Sequence, residues 1–322
     1  MAALEEAVLY ALKAKPGEFV SGEELSRLSG VSRTAIWKEI EKLRAEGYKI
    51  SARPRQGYKL TAVPDRLTAQ ELRWNLKTRV VGCRVHAYES TDSTMDLSHR
   101  LAASGEPEGS VVITESQNKG RGRMGRVWAS PRGTGLYFSV LFRPALPVSR
   151  VPHLTLVAAV AVAEAVADST GLRPDLKWPN DLLIDGKKIC GILTELNAEV
   201  NRVNYVVVGV GMNVNTAKSD LPAHATSLKA QAGEKIDRIA LARALFQRID
   251  ARYHQFLGGG WEPILEAWRS HARFLGSRVR VALEGRVIDG HALDIDSDGA
   301  LLVRADTGIV ESVSAGEVLL VR

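Results

Sequence analysis

The segment Gly120–Arg126, Gly-Arg-Gly-Arg-Met-Gly-Arg, places three arginines among three glycines, shortly after the strand-like run at 111–114. Glycine admits left-handed backbone and lets another group approach the main chain closely, so this segment is unsuited to the interior of a helix or strand. Consecutive amides in such a loop form a concave anion site, and guanidinium groups add charged, fork-shaped donors. The pattern therefore predicts a loop that binds a phosphate-bearing ligand. A mobile basic surface loop and a nucleic-acid contact are alternatives that this segment alone leaves open.

The composition is that of an ordinary globular chain. Its 322 residues, 45% hydrophobic and 25% charged, suffice for two or three domains with full-sized cores. The N-terminus is acidic rather than signal-like and no apolar run has membrane-spanning length, which predicts a cytoplasmic protein without a membrane partner.

The two cysteines, Cys83 and Cys190, are predicted to be small core residues rather than disulfide or zinc ligands. The net charge of +6 permits a nucleic-acid partner without requiring one.

The first sixty residues have the pattern of a helix-turn-helix. A helix ends at Pro16, and Ser21 with Glu24 forms a capping box at the start of a second, short helix. Ser32 caps a third helix, which ends at Gly47. Two helices joined by a glycine-containing turn are typical of DNA-binding proteins.

A basic hairpin follows these helices. The segments 48–53 and 58–60 flank Pro-Arg-Gln-Gly at 54–57, and this predicts a wing beside the third helix. The helix is expected in the major groove and the wing on the DNA backbone or minor groove. The residues predicted to contact DNA are Ser32, Arg33, Thr34, Trp37, Lys38, Arg53 and Arg55. A small helical domain used for protein contacts is the alternative.

The central region carries four separated motifs. In chain order these are Asp92-Ser93-Thr94, the loop at 120–126, Lys177-Trp178-Pro179-Asn180-Asp181, and Lys188 ahead of Cys190-Gly191-Ile192-Leu193. The pattern also predicts a buried strand at 135–142, a long helix at about 152–169, a tight hairpin at Asp185-Gly186 and a turn at 209–213. Helix capping by the hydroxyls and a snorkelling lysine at the end of a strand are the structural alternatives for two of the motifs.

The four motifs, in this order, resemble those of the biotin protein ligases, specifically the bifunctional kind that also represses the biotin operon. A winged helix precedes the motifs and a small β domain follows them, so the resemblance covers essentially the whole chain. One such motif would be a weak signal, whereas four in order with both flanking domains are specific.

The resemblance implies a two-step reaction. Biotin and Mg-ATP first give biotinyl-5′-adenylate and pyrophosphate, and a lysine of the biotin carboxyl carrier protein, a subunit of acetyl-CoA carboxylase, then takes up the biotinyl group. The cofactors implied are therefore ATP, Mg²⁺ and biotin, with no permanent metal. The adenylate is also implied to act as corepressor, in a homodimer that binds operator DNA.

The resemblance also implies site residues. Those implied to contact biotin or its adenylate are Ser93, Thr94, Met95, Gln117, Arg121, Gly122, Arg123 and Lys188. Arg121 and Arg123 are implied to clamp the carboxylate and the α-phosphate, and Lys188 with Arg123 to act in catalysis. Those implied to contact ATP or magnesium are Lys177, Asn180, Asp181 and Asn213. For Trp128 and Trp178, packing in the core is the expectation.

Two positions depart from the family pattern. Met95 stands where asparagine is common, which removes one hydrogen bond to biotin if that contact runs through the side chain. Met124 stands where some members have a further arginine, which weakens the hold on the adenylate or changes carrier choice. Neither position is one that we assign to catalysis.

We expect an α+β, multidomain chain. A winged helix-turn-helix is predicted at 1–62, a linker at 63–70, a mixed α/β catalytic domain at 71–273 and an SH3-like β-barrel at 274–322. The catalytic domain would resemble class II aminoacyl-tRNA synthetases and lipoate ligases. Strands of the last domain are predicted at 278–283, 287–295, 300–303 and 309–313.

Two other functions fit part of the sequence. A DNA-binding sensor that holds an anionic ligand without catalysis would not need a lysine and arginines aimed at a reacting centre. A relative of lipoate ligases would share the catalytic architecture but would not be expected to carry the winged helix or the arginine-glycine loop.

Overall fold

Two units, Met1–Arg66 and Leu67–Arg322, make up the chain in the computed structural model, which describes residues 2–200 and 202–321. The division falls inside the segment 63–70 that was predicted to be a linker. The limits of the predicted domains at 62, 71 and 273 stay predictions.

The first unit consists of short helices and a hairpin. Its elements are α1 (Ala2–Ala14), α2 (Gly22–Ser29), α3 (Arg33–Ala45), β1 (Lys49–Arg53) and β2 (Gly57–Ala62). The strands β1 and β2 pair in antiparallel fashion, and Val20 adds a single bridge to Tyr58 of β2. This is the predicted winged helix.

The helix caps predicted at Ser21 and Ser32 are present in this unit. Ser21 Oγ accepts a hydrogen bond from the Glu24 amide at 3.0 Å, and Ser32 Oγ accepts one from the Ala35 amide at 3.2 Å. The carboxylate of Glu24 pairs with Lys15. A buried apolar cluster lies beneath the helices; among its members are Val8, Leu12, Leu25, Ile36, Ile40 and Leu43.

The second unit contains two sheets with helices. In chain order its elements are α4 (Ala69–Arg73), β3 (Val85–Tyr88), α5 (Thr94–Ala103), β4 (Val111–Thr114), β5 (Gly135–Phe142), α6 (His153–Thr170), β6 (Asp175–Lys177), β7 (Asp181–Ile184), β8 (Lys187–Glu199), β9 (Arg202–Asn213), α7 (Leu228–Ala232), α8 (Arg238–Leu257), α9 (Trp261–His271), β10 (Arg278–Leu283), β11 (Arg286–Ile295), β12 (Leu301–Ala305), β13 (Val310–Val313) and β14 (Glu317–Leu320).

A seven-stranded mixed sheet in the order β3-β4-β5-β9-β8-β7-β6 forms the centre of this unit. The pair β3 and β4 is parallel, and the other neighbours are antiparallel. Alternate side chains point to opposite faces of a strand. Accordingly, Phe138 and Val140 of β5 join the large core that includes α6 and α8, whereas Leu141 joins a smaller cluster with Met95 of α5.

Twelve of the 18 residues of α6 are Ala, Val or Leu. Within the segment Val148–Thr170, which contains it, an 18-residue window has a mean hydropathy of 1.5, and 72% of that window is buried in the protein. The expectation that no apolar run has membrane-spanning length is therefore wrong by length and composition. Burial explains this composition, because α6 packs against α8, α9 and the sheet.

A five-stranded antiparallel sheet in the order β13-β12-β11-β10-β14 ends the chain. Four of its strands were predicted and β14 was not, because a four-residue edge strand carries little pattern. Three ring nitrogens from the preceding helices and sheet, those of His153, Trp178 and Trp261, contact backbone carbonyls of its turn at Ser297 and Gly299, at 2.7–3.3 Å. Trp178 is thus a core residue, as predicted.

The cysteine prediction is half correct. Cys190 is buried, whereas Cys83 is exposed, with Sγ 3.1 Å from the carbonyl of Glu108. The tight hairpin at Asp185 and Gly186 is confirmed, since their φ angles are 50° and 72°. Both values are those of a two-residue turn that matches the twist of its strands.

A buried ion pair joins distant parts of this unit. Arg238, the first residue of α8, donates to Glu115 Oε2 at 2.7 Å and to the carbonyl of Gly135 at 3.2 Å. Glu115 also accepts the amide of Leu67 at 2.8 Å. Both charged side chains are nearly inaccessible, at 1% and 6% exposure. Loss of one partner therefore leaves a charge buried without compensation.

We expect Arg238→Met to lower the free energy of unfolding by about 3–5 kcal/mol, because Glu115 then stays buried and unpaired. Thermal unfolding followed by tryptophan fluorescence would measure this, since five of the six tryptophans lie within 67–322. The control is Arg248→Met, which breaks the exposed pair with Asp168 and should cost less than about 1 kcal/mol. Equal destabilisation by both variants would contradict the assignment.

Candidate active site and nucleic-acid interface

A cavity of about 230 Å³ lies at one end of the seven-stranded sheet. Its walls come from several parts of the second unit: the start of α5, Gln117, the segment 121–129, the turn between β6 and β7, the start of β8, Gly209–Gly211 and Asn213 of β9, and the segment 316–318. The segment 221–225 closes a further side. Motifs as far apart in the sequence as Thr94 and Lys188 thus meet here.

The segment Gly120–Arg126, hereafter the arginine loop, is a small closed loop. The amide of Gly122 donates to the carbonyl of Arg126 at 2.7 Å, and the amide of Trp128 donates to the carbonyl of Gly120 at 2.9 Å. Met124 has a φ of 55°, in the left-handed region. A Cβ at position 120 would lie 2.4 Å from the carbonyl oxygen of Trp128, so glycine is required there.

The three arginines of the loop have different partners. Arg121 pairs with Glu195 of β8 and with Asp96 of α5. Arg126 pairs with Glu317 of β14, with Nη1 to Oε1 at 2.7 Å. The side chain of Arg126 is thereby joined to the C-terminal sheet.

Arg123 lines the cavity and donates to two neutral oxygens. These are Asn180 Oδ1 at 3.4 Å and the carbonyl of Gly316 at 3.3 Å, both long hydrogen bonds. Burial lowers the pKa of Arg123, and the nearby Asp181 and Glu317 oppose that shift. A guanidinium group stays charged in proteins, so this is a partly desolvated cation with weakly held donors.

Two lysines also lie in the cavity wall. Lys188 Nζ is 2.5 Å from Asp181 Oδ1 and 5.3 Å from the centre of the Trp128 ring. Burial lowers the pKa of Lys177, and Asp181 opposes the shift. A Cβ at Gly191 would lie 3.2 Å from Lys188 Nζ. The absence of a side chain at Gly191 therefore leaves space for this ammonium group.

Trp128 is not in the core, contrary to expectation. It is half-buried and forms part of the cavity wall. Its indole Nε1 is buried and has no hydrogen-bond partner among residues 2–200 and 202–321. An acceptor on a bound ligand would satisfy such a donor.

The polar end of the cavity is a chain of hydrogen bonds. Ser139 Oγ donates to Thr94 Oγ1 at 2.8 Å, and the amide of Thr94 donates to Gln117 Oε1 at 2.9 Å. Gln117 Nε2 donates in turn to Ser130 Oγ at 2.9 Å. Thr94 and Gln117 line the cavity, whereas Ser93 is buried behind them and caps α5 through the Asp96 amide at 3.4 Å.

Met95 fills space between α5 and the sheet. It is buried, lines the cavity and faces Gly209 of β9, where a Cβ would lie 2.5 Å from its sulfur. Likewise, a Cβ at Gly211 would lie 2.6 Å from Trp128. The turn predicted at 209–213 is therefore wrong: these glycines belong to β9 and allow close packing on the strand.

The two asparagines implied to contact ATP are held by backbone groups. Asn180 Nδ2 donates to the carbonyl of Ile192 at 2.7 Å, and Asn213 Nδ2 donates to that of Thr226 at 3.2 Å. Both line the cavity, so every residue named from the sequence for this site except Ser93 lies in its wall.

The sequence reasoning missed Glu195 and Glu317. Glu195 lies on β8, two residues after the last residue of the fourth motif, and Glu317 lies at the start of the missed strand β14. A carboxylate next to apolar strand residues is a signal for pairing with a cation, which could have suggested both.

The first unit presents a groove between α3 and the hairpin. It is lined by Arg33, Thr34 and Trp37 of α3 and by Arg53 and Arg55 of the hairpin. Trp37 is 52% exposed. Lys38 of α3 and Ser32, the residue that caps α3, were also predicted to contact DNA, and both are exposed.

Two cations of the hairpin lie over one aromatic ring. The guanidinium carbon of Arg53 lies 5.0 Å from the centre of the Phe19 ring, and Lys59 Nζ lies at the same distance. Arg55, at the hairpin turn, has a φ of 66°. Exposed cations and an aromatic ring beside a helix suit a contact with nucleic acid.

Family models match successive parts of the chain. The HTH domain matches residues 5–59, the Biotin/lipoate A/B protein ligase family residues 87–213, and the Biotin protein ligase C terminal domain residues 274–321.

Individual proteins are similar over longer stretches. The bifunctional ligase/repressor BirA of Bacillus subtilis (strain 168) is 43% identical over 302 residues, which are 92% of this chain and 93% of that protein. The biotin–[acetyl-CoA-carboxylase] ligase of Mycobacterium tuberculosis is 37% identical over 240 residues, 73% of this chain and 87% of that protein.

A solved structure is similar as well. The biotin protein ligase from Aquifex aeolicus in complex with biotin and ATP matches with a TM-score of 0.64 and 30% identity, over 74% of this chain and 99% of that chain. Sequence, domain order and fold therefore agree. This chain belongs to the biotin protein ligase family, among its bifunctional ligase/repressor members.

Proposed function

We propose that this protein is a biotin protein ligase that forms biotinyl-5′-AMP from biotin and ATP and transfers biotin to a lysine of a biotin carboxyl carrier protein. It is also a DNA-binding repressor. The observation that carries the ligase assignment is the convergence of Arg123, Lys177 and Lys188 on one partly desolvated cavity beside the arginine loop. The carrier protein is proposed to be the acetyl-CoA carboxylase subunit.

The chemistry explains the need for cations. In the first step a carboxylate oxygen of biotin attacks the α-phosphorus of ATP, and pyrophosphate leaves. In the second step the neutral amine of the carrier lysine attacks the acyl carbon, AMP leaves, and the amine loses a proton. Negative charge grows on phosphoryl and acyl oxygens in both steps, and preorganised donors in a desolvated site stabilise it.

The side chains divide this work. Arg123 and Lys188 donate to the reacting oxygens, since both lie in the cavity wall as cations. Thr94 and Gln117 form the polar end, where the hydroxyl and amide match the donors and acceptors of the biotin ring. Met95 supplies an apolar floor, and Gly122 brings main chain near the ligand.

The cavity has a free donor that fits such a ligand. The buried Trp128 Nε1, without a partner among the described residues, can donate to an oxygen of the adenylate. Lys177, Asn180, Asp181 and Asn213 lie in the wall on the side we assign to ATP.

Magnesium enters with ATP as part of the substrate. No cluster of three or more His, Cys, Asp or Glu side chains that could hold a metal occurs within residues 2–200 and 202–321. Mg²⁺ commonly takes one or two protein carboxylates and completes its shell with phosphate oxygens and water. Asp181 is the carboxylate that we assign to this role, and it would exchange its pairing with Lys188 for the metal.

Repression follows from the first unit. The groove between α3 and the hairpin receives operator DNA, with α3 in the major groove. We propose that biotinyl-5′-AMP is the corepressor and that the adenylate-bound protein is a homodimer, because a dimer places two recognition helices on a palindromic site. All these partners are cytoplasmic, which is where we place the protein.

We expect Lys188→Gln and Arg123→Gln each to slow adenylate formation by about 10²–10³-fold, because each removes a charged donor from the reacting oxygens. Conversion of labelled ATP and biotin to biotinyl-5′-AMP would measure this. The matched control is Lys187→Gln, the exposed neighbour on the same strand, which should react at the normal rate. Normal rates in both test variants would disprove the catalytic assignment.

We expect Arg53→Gln and Arg55→Gln each to reduce the slope of log K against log salt by about 1, because each removes one phosphate contact. Fluorescence anisotropy with a mixed-sequence DNA duplex at several salt concentrations would show it. Lys13→Gln serves as control, since Lys13 lies on α1, outside the residues that line the groove. An unchanged slope in both wing variants would exclude the wing from the interface.

We expect biotin and ATP together to double the mass in sedimentation experiments and to tighten binding to a duplex selected from a random pool. Linkage requires that a ligand which favours the dimer also favours dimer-dependent DNA binding. Arg123→Gln should slow the appearance of both responses to the same extent as it slows adenylate formation. Tight DNA binding that is indifferent to biotin and ATP would rule out the corepressor role.

A further inference from the structure

The three arginines of the arginine loop do not face the same surroundings. Arg123 lies between the other two and donates to neutral oxygens in the cavity. Arg121 and Arg126 stand on either side, and each is paired with carboxylates of another element. The arginines are therefore not interchangeable members of one clamp.

Arg121 is held by two elements at once. Its Nη1 donates to Glu195 Oε1 at 3.0 Å and its Nη2 to Glu195 Oε2 at 2.9 Å, a fork that only arginine can form. Nη2 is also 2.8 Å from Asp96 Oδ1. Glu195 belongs to the central sheet, and Asp96 lies in the first turn of α5.

Glu195 also forms a hydrogen bond with His99 of α5. His99 Nε2 lies 2.9 Å from Glu195 Oε2, and His99 Nδ1 lies 3.3 Å from the hydroxyl of Tyr205. The hydrogen bond from His99, followed by those from Arg121, holds the pKa of Glu195 below its usual value. The carboxylate is thus charged and oriented toward Arg121.

Arg121 lies at the base of the arginine loop. It forms a bridge with Val127, at the base where the two ends of the loop meet. The other end is held through Arg126 and Glu317. A restraint at the base limits the orientation of the whole loop, including Arg123 at its centre.

We propose that Glu195, with Asp96, positions the arginine loop through Arg121, and that the Arg121 side chain anchors the loop rather than clamping the ligand. This inference rests on the proposed ligase function and reassigns one residue within it. Glu195 and Arg121 are positioning residues, and Arg123 is the arginine that meets the reacting oxygens. Arg121 is nevertheless one of the residues that line the cavity.

The anchor predicts a particular kinetic effect. The pair is partly exposed, at 39% for Arg121 and 29% for Glu195, so its energy is modest despite the bidentate geometry. A loosened loop must be ordered again when biotin binds, and this raises KM. Once biotin is bound, Arg123 is in place and kcat changes little.

The test is a double-mutant cycle of Arg121→Gln, Glu195→Gln and the double variant. For an anchor, each single variant raises KM for biotin about three- to tenfold with kcat within about twofold, and the double variant is no worse than either. For a ligand clamp, Glu195→Gln leaves KM normal or lower and Arg121→Gln alone is impaired. That second pattern would overturn the inference.

A measurement independent of activity is limited trypsin cleavage of the loop. Glu195→Gln keeps every arginine of the loop, so a faster cleavage after Arg123 or Arg126 reports loosening alone. Unchanged cleavage would overturn the inference, provided that the thermal midpoint matches the wild type. The control is Arg132→Gln, which breaks an exposed pair with Glu89 outside the cavity and should change neither KM nor cleavage.

The two proposals fail in different ways. If the wild-type protein forms no adenylate, the ligase assignment is wrong, whatever the variants do. If the wild type is active and the cycle is additive, the ligase assignment stands and the anchor is wrong.

Discussion

Repulsion among cations gathered at one cavity is the constraint on which the rest of the site depends. Several basic side chains converge there, and like charges a few ångströms apart repel strongly when partly desolvated. Carboxylates from other elements offset this: Asp181 for Lys188, Glu195 and Asp96 for Arg121, and Glu317 for Arg126. These pairings offset the repulsion, and the donors of Arg123 are still held only by long hydrogen bonds.

The same pairing ties the site to the fold. Glu195 comes from β8 in the middle of the sheet, and Glu317 comes from the C-terminal sheet. The C-terminal sheet is in turn held by ring nitrogens of His153, Trp178 and Trp261. The small sheet is therefore part of the cavity wall, and its packing on the helices has consequences for the site.

Glycines make the close approach possible. At 209 and 211, side chains would collide with Met95 and Trp128, and at 191 one would crowd Lys188. The strand β9 and its neighbour β8 thus leave space for side chains that line the cavity. This also accounts for Met95, a departure from the family pattern: its flexible thioether fills the gap over Gly209, a role that packing rather than hydrogen bonding explains.

Residue type and spacing alone determined the winged helix, its caps at Ser21 and Ser32, the hairpin at Asp185 and Gly186, and the family itself. These depend on local backbone preference or on motifs in order, which a linear pattern records. Several features could not be obtained that way: Cys83 at the surface, Trp128 in the cavity wall, the strand character of 209–213, β14, and the buried pair of Arg238 with Glu115. Each depends on a partner far along the chain.

The arginine loop shows the same limit within one motif. The sequence predicted an anion site there, because glycines and guanidinium groups are typical of anion-binding loops. It could not distinguish Arg121 from Arg123, since both have the same local surroundings. Tertiary structure separated them by placing Glu195 and Asp96 beside the first and a partly desolvated cavity beside the second. The residue type determines which interactions a side chain can form, and the sequence shows that type. The packing of distant segments determines which partner the side chain contacts.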